Sequence, residues 1–340
     1  MMLTSTDLTP LMDTARRGLT LDLIIPIYNE AEVLELLFGT LEATFSRENL
    51  VGRNIAGVRY LFVDDGSSDE SARIISDKIR AGAPATLFRL SRNFGHANAI
   101  SAGLDHATAD LVALLDADLQ DPPSVVLKMI DKAGEGFNVV FGQRRRRKEN
   151  ILKRMGYWSF YRLLAFLSDI RLPLDSGDFC LLDRNVVSAL RNLPERLRYP
   201  RVLRAWVGFR QTGVEYDRPR RQAGETKYTL SKLYRLATDG IASASIRPLK
   251  IAQFSSFLFG MTTLALTLTF VLALFGQIDL AIPLPFLLAS IMVVASNALM
   301  MLVLYVFSAY LGRMYLEIKG RPPYIVMETI DGAKTEESAR

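Results

Sequence analysis

Asp116 and Asp118 stand two residues apart, directly after the apolar run 111–115. In extended backbone, positions i and i+2 project to the same side, so both carboxylates can reach one divalent ion. Hard oxygen donors with no His or Cys suit Mg2+ or Mn2+, which are held by one or two carboxylates plus substrate phosphates. The expected ligand is therefore a diphosphate. Three other short apolar runs end in polar clusters: Pro26-Ile-Tyr28-Asn29-Glu30, Asp64-Asp65-Gly66-Ser67-Ser68-Asp69 and Arg92-Asn93-Phe94-Gly95-His96. The fourth continues to Gln120. Singly, these read as turns or helix caps, with Asp69 suited to an N-cap and Asp64-Asp65-Gly66 to a turn. Four such ends on one rim point further, because clustered like charge needs a cation or ligand to offset it.

The elements that would position these residues alternate in type. Residues 21–27, 60–63, 86–90, 111–115 and 139–141 read as strands, and 31–45, 69–79, 97–106 and 122–132 as helices. That rhythm predicts an α/β fold with a mostly parallel sheet covered on both faces. Ligands of such sheets bind beyond the carboxyl ends of the strands, where the polar clusters lie. Neither G-x-x-x-x-G-K-[ST] nor a G-x-G-x-x-G at the first turn occurs, so P-loop kinases and dinucleotide oxidoreductases lack their fingerprints. A lone cysteine, Cys180, excludes an intramolecular disulfide framework, and with only His96 and His106 beside it a structural zinc site is not expected.

Charge is distributed unevenly over the 340 residues. Residues 1–143 carry 12 Lys and Arg against 20 Asp and Glu, residues 144–250 carry 24 against 10, and residues 251–340 five against six. Residues 251–278 and 280–312 form uncharged runs of 28 and 33 residues, each longer than the ~20 that span a bilayer. Asp279, Pro283 and Pro285 interrupt them as a tight connection would. The expectation is a two-helix transmembrane hairpin, 251–278 and 284–311. Arg247 and Lys250 precede it and Arg313, Lys319 and Arg321 follow, which places both ends in the cytoplasm. No secretory signal is read at the first 20 residues. Arg144-Arg-Arg-Arg-Lys148 and a basic, aromatic helix at about 151–169 suit an anionic membrane surface, with 231–250 as a second interfacial helix. Beside two spans, lipid is a simpler partner than nucleic acid.

The motifs P-x-Y-N-E (26–30), D-D-G-S-x-D (64–69), R-N-x-G (92–95), D-A-D-L-Q-D-P-P (116–123) and R-x-x-G-x-T-K-Y (221–228) occur in that order. Together they resemble the membrane-anchored, family 2 glycosyltransferases that act on polyprenyl phosphates: bactoprenol glucosyltransferases, dolichol-phosphate mannose synthases and aminoarabinose transferases. The likeness runs from about residue 21 to 324. It is nearest to the bactoprenol glucosyltransferases at Ser176-Gly-Asp-Phe-Cys-Leu-Leu-Asp-Arg184 and Arg198-Tyr-Pro-Arg201. It implies a GT-A (Rossmann-like) catalytic domain over 1–230 and a cytoplasmic tail over 312–340. Pro26, Tyr28 and Glu30 would contact base and ribose, with Asp64 and Asp65 reading the nucleoside. Asp116 would approach sugar or ribose, and Asp118 would bind the metal, with Gln120 nearby. Arg221 and Lys227 would close over the two phosphates, and Arg144, with Arg221, would grip the lipid phosphate. Asp178 would orient a sugar hydroxyl or the acceptor; a buried, hydrogen-bonded aspartate is the other reading. Relatives form homo-oligomers, so an assembly such as a homotetramer in the inner (plasma) membrane is implied.

The chemistry this implies needs no strong base. A lipid monophosphate, with a second pKa of ~6, is mostly dianionic at pH 7 and already nucleophilic. Positioning and stabilisation of the departing nucleotide diphosphate would carry the rate, and one displacement inverts the anomeric centre. UDP-glucose is the expected donor by resemblance, with GDP-mannose and a UDP-aminosugar as alternatives. A processive polysaccharide synthase would carry more spans and a Q-x-x-R-W motif, which Arg204-Ala-Trp206 does not supply. A non-catalytic scaffold that binds nucleotide sugar is the third reading.

Overall fold

The structure, a computed structural model, describes residues 18–144, 176–196, 198–217 and 283–332, with single positions between 254 and 275. The loop carrying Arg221 and Lys227, the basic run after Arg144, the interfacial segments 151–169 and 231–250, and most of 251–278 lie outside the described residues. The chain divides into two compact units. One comprises Met1–Arg154, Leu172–Tyr228 and Pro322–Arg340; the other comprises Met155–Arg171 and Thr229–Arg321.

The first unit is built on an eight-stranded sheet. Its elements are β1 (Leu19–Ile27), α1 (Ala31–Thr44), α2 (Arg47–Val51), β2 (Ile55–Asp64), α3 (Ser71–Arg80), β3 (Ala85–Leu90), α4 (His96–His106), β4 (Leu111–Leu114), α5 (Pro123–Gly134), β5 (Val139–Arg144), β6 (Ser176–Asp183), α6 (Arg184–Arg191), α7 (Pro200–Trp206), β7 (Gln211–Tyr216) and β8 (Val326–Asp331). The spatial order is β7-β5-β6-β4-β1-β2-β3-β8. Strands β4, β1, β2 and β3 run parallel, as the alternating pattern predicts, and so do β5 and β7. β6 is antiparallel to both β4 and β5, and β8 is antiparallel to β3. The α/β fold is therefore mixed rather than purely parallel.

Period-two alternation explains the two-sided core. Leu23, Ile25 and Phe62 face one cluster with α1, α3 and α5, whereas Ile24, Leu61 and Val63 face another with α4 and α6. Gly103 of α4 packs so closely on β1 that an added Cβ would sit 2.3 Å from a methyl carbon of Ile24. Asp22 is 2% exposed in the middle of this apolar strand. It is held by a bidentate Arg59 at 3.0 and 2.8 Å and by the backbone amides of Thr108 and Ala109 at 2.7 and 3.1 Å. A buried charge of this kind persists only when paired and hydrogen-bonded.

The residues after Met327 read as a polar, loosely ordered tail, but the first of them, Glu328–Asp331, belong to β8, and 333–340 lie outside the described residues. Val326 and Ile330 pack against the core, and Arg89 of β3 donates to Glu328 at 2.7 Å. Tyr324 donates to Asp105 at 2.9 Å, and Arg198 meets the same carboxylate at 3.0 Å. Strand pairing and these polar contacts order a segment whose composition alone looks solvated.

In the second unit, α8 covers Pro283–Ile318, 36 residues or about 54 Å at ~1.5 Å per residue. Pro283 and Pro285 occupy its first turn, where a missing N–H costs nothing. The helix continues past the expected end at 311. Among the described residues it contains the one stretch long and apolar enough to cross a membrane, Ala295–Ile318, none of which is buried by protein. The isolated positions Phe254, Phe257, Leu258, Met261, Leu264, Leu268 and Leu272 are helical and exposed.

Candidate functional site

The carboxyl ends of β1, β2 and β4, with the start of β6, converge on one rim of the sheet. The backbone amide of Asp65 donates to Ile27 at 2.8 Å and that of Leu115 to Ile24 at 3.0 Å, which continues the ladder into the first residues beyond each strand. The P-x-Y-N-E and D-D-G-S-x-D segments then interlock. Asn29, at φ 54, donates its amide to Ser67 Oγ at 3.0 Å and accepts from the Ser68 amide at 2.8 Å. Glu30 N donates to Ser71 Oγ at 3.0 Å, and Ala31 N to Asp69 at 3.1 Å. Asp69 also accepts from Ser71 N at 3.0 Å. Burial opposes its charge, but the bonds from Ser71 and the backbone hold its pKa below the usual carboxylate value. Pro26 is half-buried at the end of β1, and Tyr28 projects into solvent.

Asp64 and Asp65 are both buried and differently employed. Asp64 accepts from Ser67 N at 2.9 Å and lies 3.6 Å from Arg89 Nε. Asp65 accepts the amides of Phe94 and Gly95 at 2.7 and 2.9 Å, so its two oxygens clamp the loop after β3. Burial pushes its pKa up, against the pull of those two amides. Gly66 lets the loops touch: at φ +74, an added Cβ would lie 2.6 Å from the carbonyl carbon of Arg92.

On β4's side, Leu114 pairs with Cys180, so two residues further along position 116 stands opposite 178. His96, the first residue of α4, places Nε2 3.6 Å from Asp116 and 4.0 Å from Asp178. The surrounding protein desolvates Asp116, and Asp121, Asp178 and Asp118 repel its charge, pushing its pKa up to about 6 against the pull of His96. Asp118 is 8% exposed and accepts from Gln120 N at 3.0 Å. Leu119 takes φ 56, which turns the chain sharply between them.

The same turn delivers Asp121, only 1% exposed, to the Tyr216 hydroxyl, which donates to it. Arg144 completes the group, with Nε donating to the Tyr216 oxygen at 3.3 Å and Nη2 3.8 Å from Asp121. Burial and the Asp121 charge both raise the Tyr216 pKa. Arg204, 2% exposed, lies beneath β6 and donates to the Gly177 carbonyl at 3.3 Å.

The structure thus brings together Asp116, Asp118 and Asp178, and ties Arg144 to the last aspartate of the D-A-D-L-Q-D segment. It interlocks the loops bearing Tyr28, Glu30, Asp64 and Asp65. Arg221 and Lys227 lie outside the described residues. Three residues here were not singled out for a role from sequence: His96, Asp121 and Tyr216. Asp121 belongs to a recognised motif, and the signal was its place there; Tyr216 lies far away in sequence and carries no such mark.

Comparison with known proteins gives the family. Residues 22–191, half of the chain, match the model for glycosyl transferase family 2. The chain belongs to that family. It is 39% identical over 316 residues to an uncharacterised glycosyltransferase of Bacillus subtilis (strain 168), covering 92% of this chain and 95% of that protein. It is 33% identical to a prophage bactoprenol glucosyl transferase homologue of Escherichia coli (strain K12), covering 90% and 98%. It is 32% identical to the bactoprenol glucosyl transferase of Shigella phage SfII, covering 92% and 99%. A solved mannosyltransferase of Pyrobaculum calidifontis, in complex with GDP-Man and Mn2+, aligns with a TM-score of 0.42 at 17% identity, covering 88% of each chain. The protein is a glycosyltransferase built on a mixed α/β sheet.

Among the described residues, no group of three or more His, Cys, Asp or Glu is assembled to hold a metal by itself. The donor set fits an ion of the other kind. Asp116 and Asp118 are hard oxygen donors crowded by two further carboxylates, and such an ion completes its shell with substrate phosphates and water.

Proposed function

We propose that the protein moves a sugar from a nucleotide diphosphate sugar onto a polyprenyl phosphate at a membrane, inverting the anomeric centre. Glucose from UDP-glucose and undecaprenyl phosphate are the favoured pair. Relatives named bactoprenol glucosyl transferases align over almost their whole length, which supports the acceptor and the sugar. The observation that carries the chemistry is the rim itself, where the carboxylates after β4 face Asp178 while Arg144 is fastened beside them by Asp121 and Tyr216.

Roles follow from that placement. The loops with Pro26, Tyr28, Glu30, Asp64 and Asp65 would bind the nucleoside, and Gln120 would lie near the donor. Asp118, with Asp116, would hold a Mg2+ or Mn2+ that offsets charge on the departing diphosphate. Asp178 and Asp116 would orient sugar hydroxyls, and Arg144 would grip the acceptor phosphate. Arg221 and Lys227 would cover the two donor phosphates. The acceptor oxygen is already anionic, so positioning it in line with the sugar is the main task left to these residues.

A membrane anchor of two spans is supported by parity. β7 and β8 belong to one sheet, so the chain leaves it and returns to it on the same side of a bilayer. A crossing by α8 therefore needs a second, opposite crossing between 217 and 283, and the exposed apolar helical positions from Phe254 to Leu272 suit it. Both termini and the catalytic unit would then be cytoplasmic, in a multi-pass protein of the plasma membrane. A homo-oligomer is proposed from the resemblance.

The test is transfer of labelled glucose from UDP-glucose to undecaprenyl phosphate by the full chain in membranes. Transfer only from GDP-mannose or a UDP-aminosugar would replace the donor. Tight nucleotide binding with no transfer from any donor would favour a scaffold.

A further inference from the structure

Arg89 is the side chain that joins the end of the chain to the nucleoside loop. It lies on β3, between β2 and β8, and is paired with Asp64 on one side and Glu328 on the other by strand register. Its Nη1 donates to Glu328 Oε2 at 2.7 Å. Its Nε, which is buried and makes no hydrogen bond among the described residues, stands 3.6 Å from Asp64 Oδ2. That separation is too long for a hydrogen bond and short enough for strong attraction in a buried setting. The other oxygen of Asp64 is occupied by Ser67 N at 2.9 Å. Arg89 thus steadies the Asp64 charge without filling the Oδ2 position.

We propose that Glu328 of β8 is a positioning residue for donor binding: it holds the Arg89 guanidinium back, so that Asp64 Oδ2 stays open to a hydrogen-bond donor of the nucleotide. The inference rests on the reading of Asp64 as part of the nucleoside site. With Glu328 neutralised, the guanidinium loses the opposite charge that holds it at the sheet edge and swings onto Asp64. A planar fork meets a carboxylate with two parallel hydrogen bonds, which would consume Oδ2. The segment that follows the apolar helix α8 would in this way set the affinity for the nucleotide sugar.

The test uses the full-length protein in detergent with Mg2+. The dissociation constant for UDP, and KM and kcat for UDP-glucose, are measured for wild type, Glu328→Gln, Arg89→Gln and the double variant. Glu328→Gln raises the UDP constant and the UDP-glucose KM about three- to tenfold, at the lower end of couplings within a shared network, and leaves kcat unchanged. In the Arg89→Gln background the same substitution has no further effect. Glu328→Asp, which keeps the charge, recovers at least half of the lost affinity, a readout that general weakening of β8 would not give. Additive effects of the two neutral substitutions, unchanged UDP affinity in Glu328→Gln, or no recovery in Glu328→Asp would overturn the positioning role alone. Wild-type protein that binds neither UDP nor GDP would overturn the nucleotide-sugar reading and this inference with it.

Discussion

Replacing Gly66 by alanine probes how closely the loops after β2 and β3 depend on one another. The backbone there sits at φ +74, and an L side chain in that region costs about 1–2 kcal/mol. The new Cβ would also stand 2.6 Å from the carbonyl carbon of Arg92 and 2.7 Å from the amide nitrogen of Asn93. Ordinary contact begins near 3.4 Å, so the loop after β3 must retreat by about 0.8 Å. Overpacking of this kind costs about 1–3 kcal/mol, for a total of about 2–5 kcal/mol. The retreat pulls the amides of Phe94 and Gly95 from Asp65, whose bonds to them measure 2.7 and 2.9 Å, and it shifts His96 at the start of α4. Gly82 supplies the control. It has φ +97 with nothing within 4 Å of an added Cβ, so Gly82→Ala carries the backbone cost alone. Denaturant unfolding of the full chain should rank Gly66→Ala below Gly82→Ala, and only Gly66→Ala should weaken UDP binding. Equal losses, or wild-type nucleotide affinity in Gly66→Ala, would refute the claim that the two loops form one rigid unit.

Tyr216→Phe removes the hydroxyl that donates to Asp121 and accepts from Arg144, at a cost of about 1.5–3 kcal/mol, that of a hydrogen bond to a charged group. Its KM for polyprenyl phosphate should rise while UDP affinity holds, measured by titrating each substrate separately. For Asp65 burial raises the native pKa above the ordinary carboxylate value, so the folded state binds more protons than the unfolded state between the two. Relative to Asp65→Asn, wild-type stability should therefore fall as pH rises through that window, as paired unfolding curves would show. An opposite slope would mean that the amides outweigh burial. Asp118→Asn keeps an acceptor for Gln120 N, now 3.0 Å away, and so should fold normally while turnover drops about 100-fold or more. EDTA should abolish wild-type transfer, with recovery on adding Mg2+ or Mn2+.

The parallel part of the sheet was legible because each strand carries its own pattern. Residues 21–27 and 60–63 alternate or run apolar, end in turn residues, and precede helices of the right length. The antiparallel strands were not. The segment Ser176–Asp183 is a short run that inserts between β4 and β5, and only pairing with Leu111–Leu114 shows where it belongs. Val326–Asp331 looks solvated because its partner lies more than 230 residues earlier. The same distinction holds in the site. Asp116 and Asp118 could be singled out from spacing alone, although 117 and 118 lie in a turn and not in extended strand, whereas His96 approaches Asp116 and Asp178 from a separate helix. Asp65 reads as a ligand group in sequence, yet its two oxygens hold a neighbouring loop.

The arrangement also bears on how two anionic substrates can be held together. A nucleotide diphosphate and a lipid phosphate repel each other, and acidic side chains between them would add to that repulsion. Here the carboxylates are not left to face both. Asp121 is turned inward after the left-handed Leu119, buried, and joined to Tyr216 and Arg144. Asp116 and Asp118 remain toward the rim, where a divalent ion and the donor would meet them. On the proposed roles, one short turn would separate a metal-binding end from the arginine-bearing end. Loosening the Asp121–Tyr216–Arg144 group should for that reason harm acceptor binding before it harms donor binding, whereas loss of Asp118 should act in the reverse order.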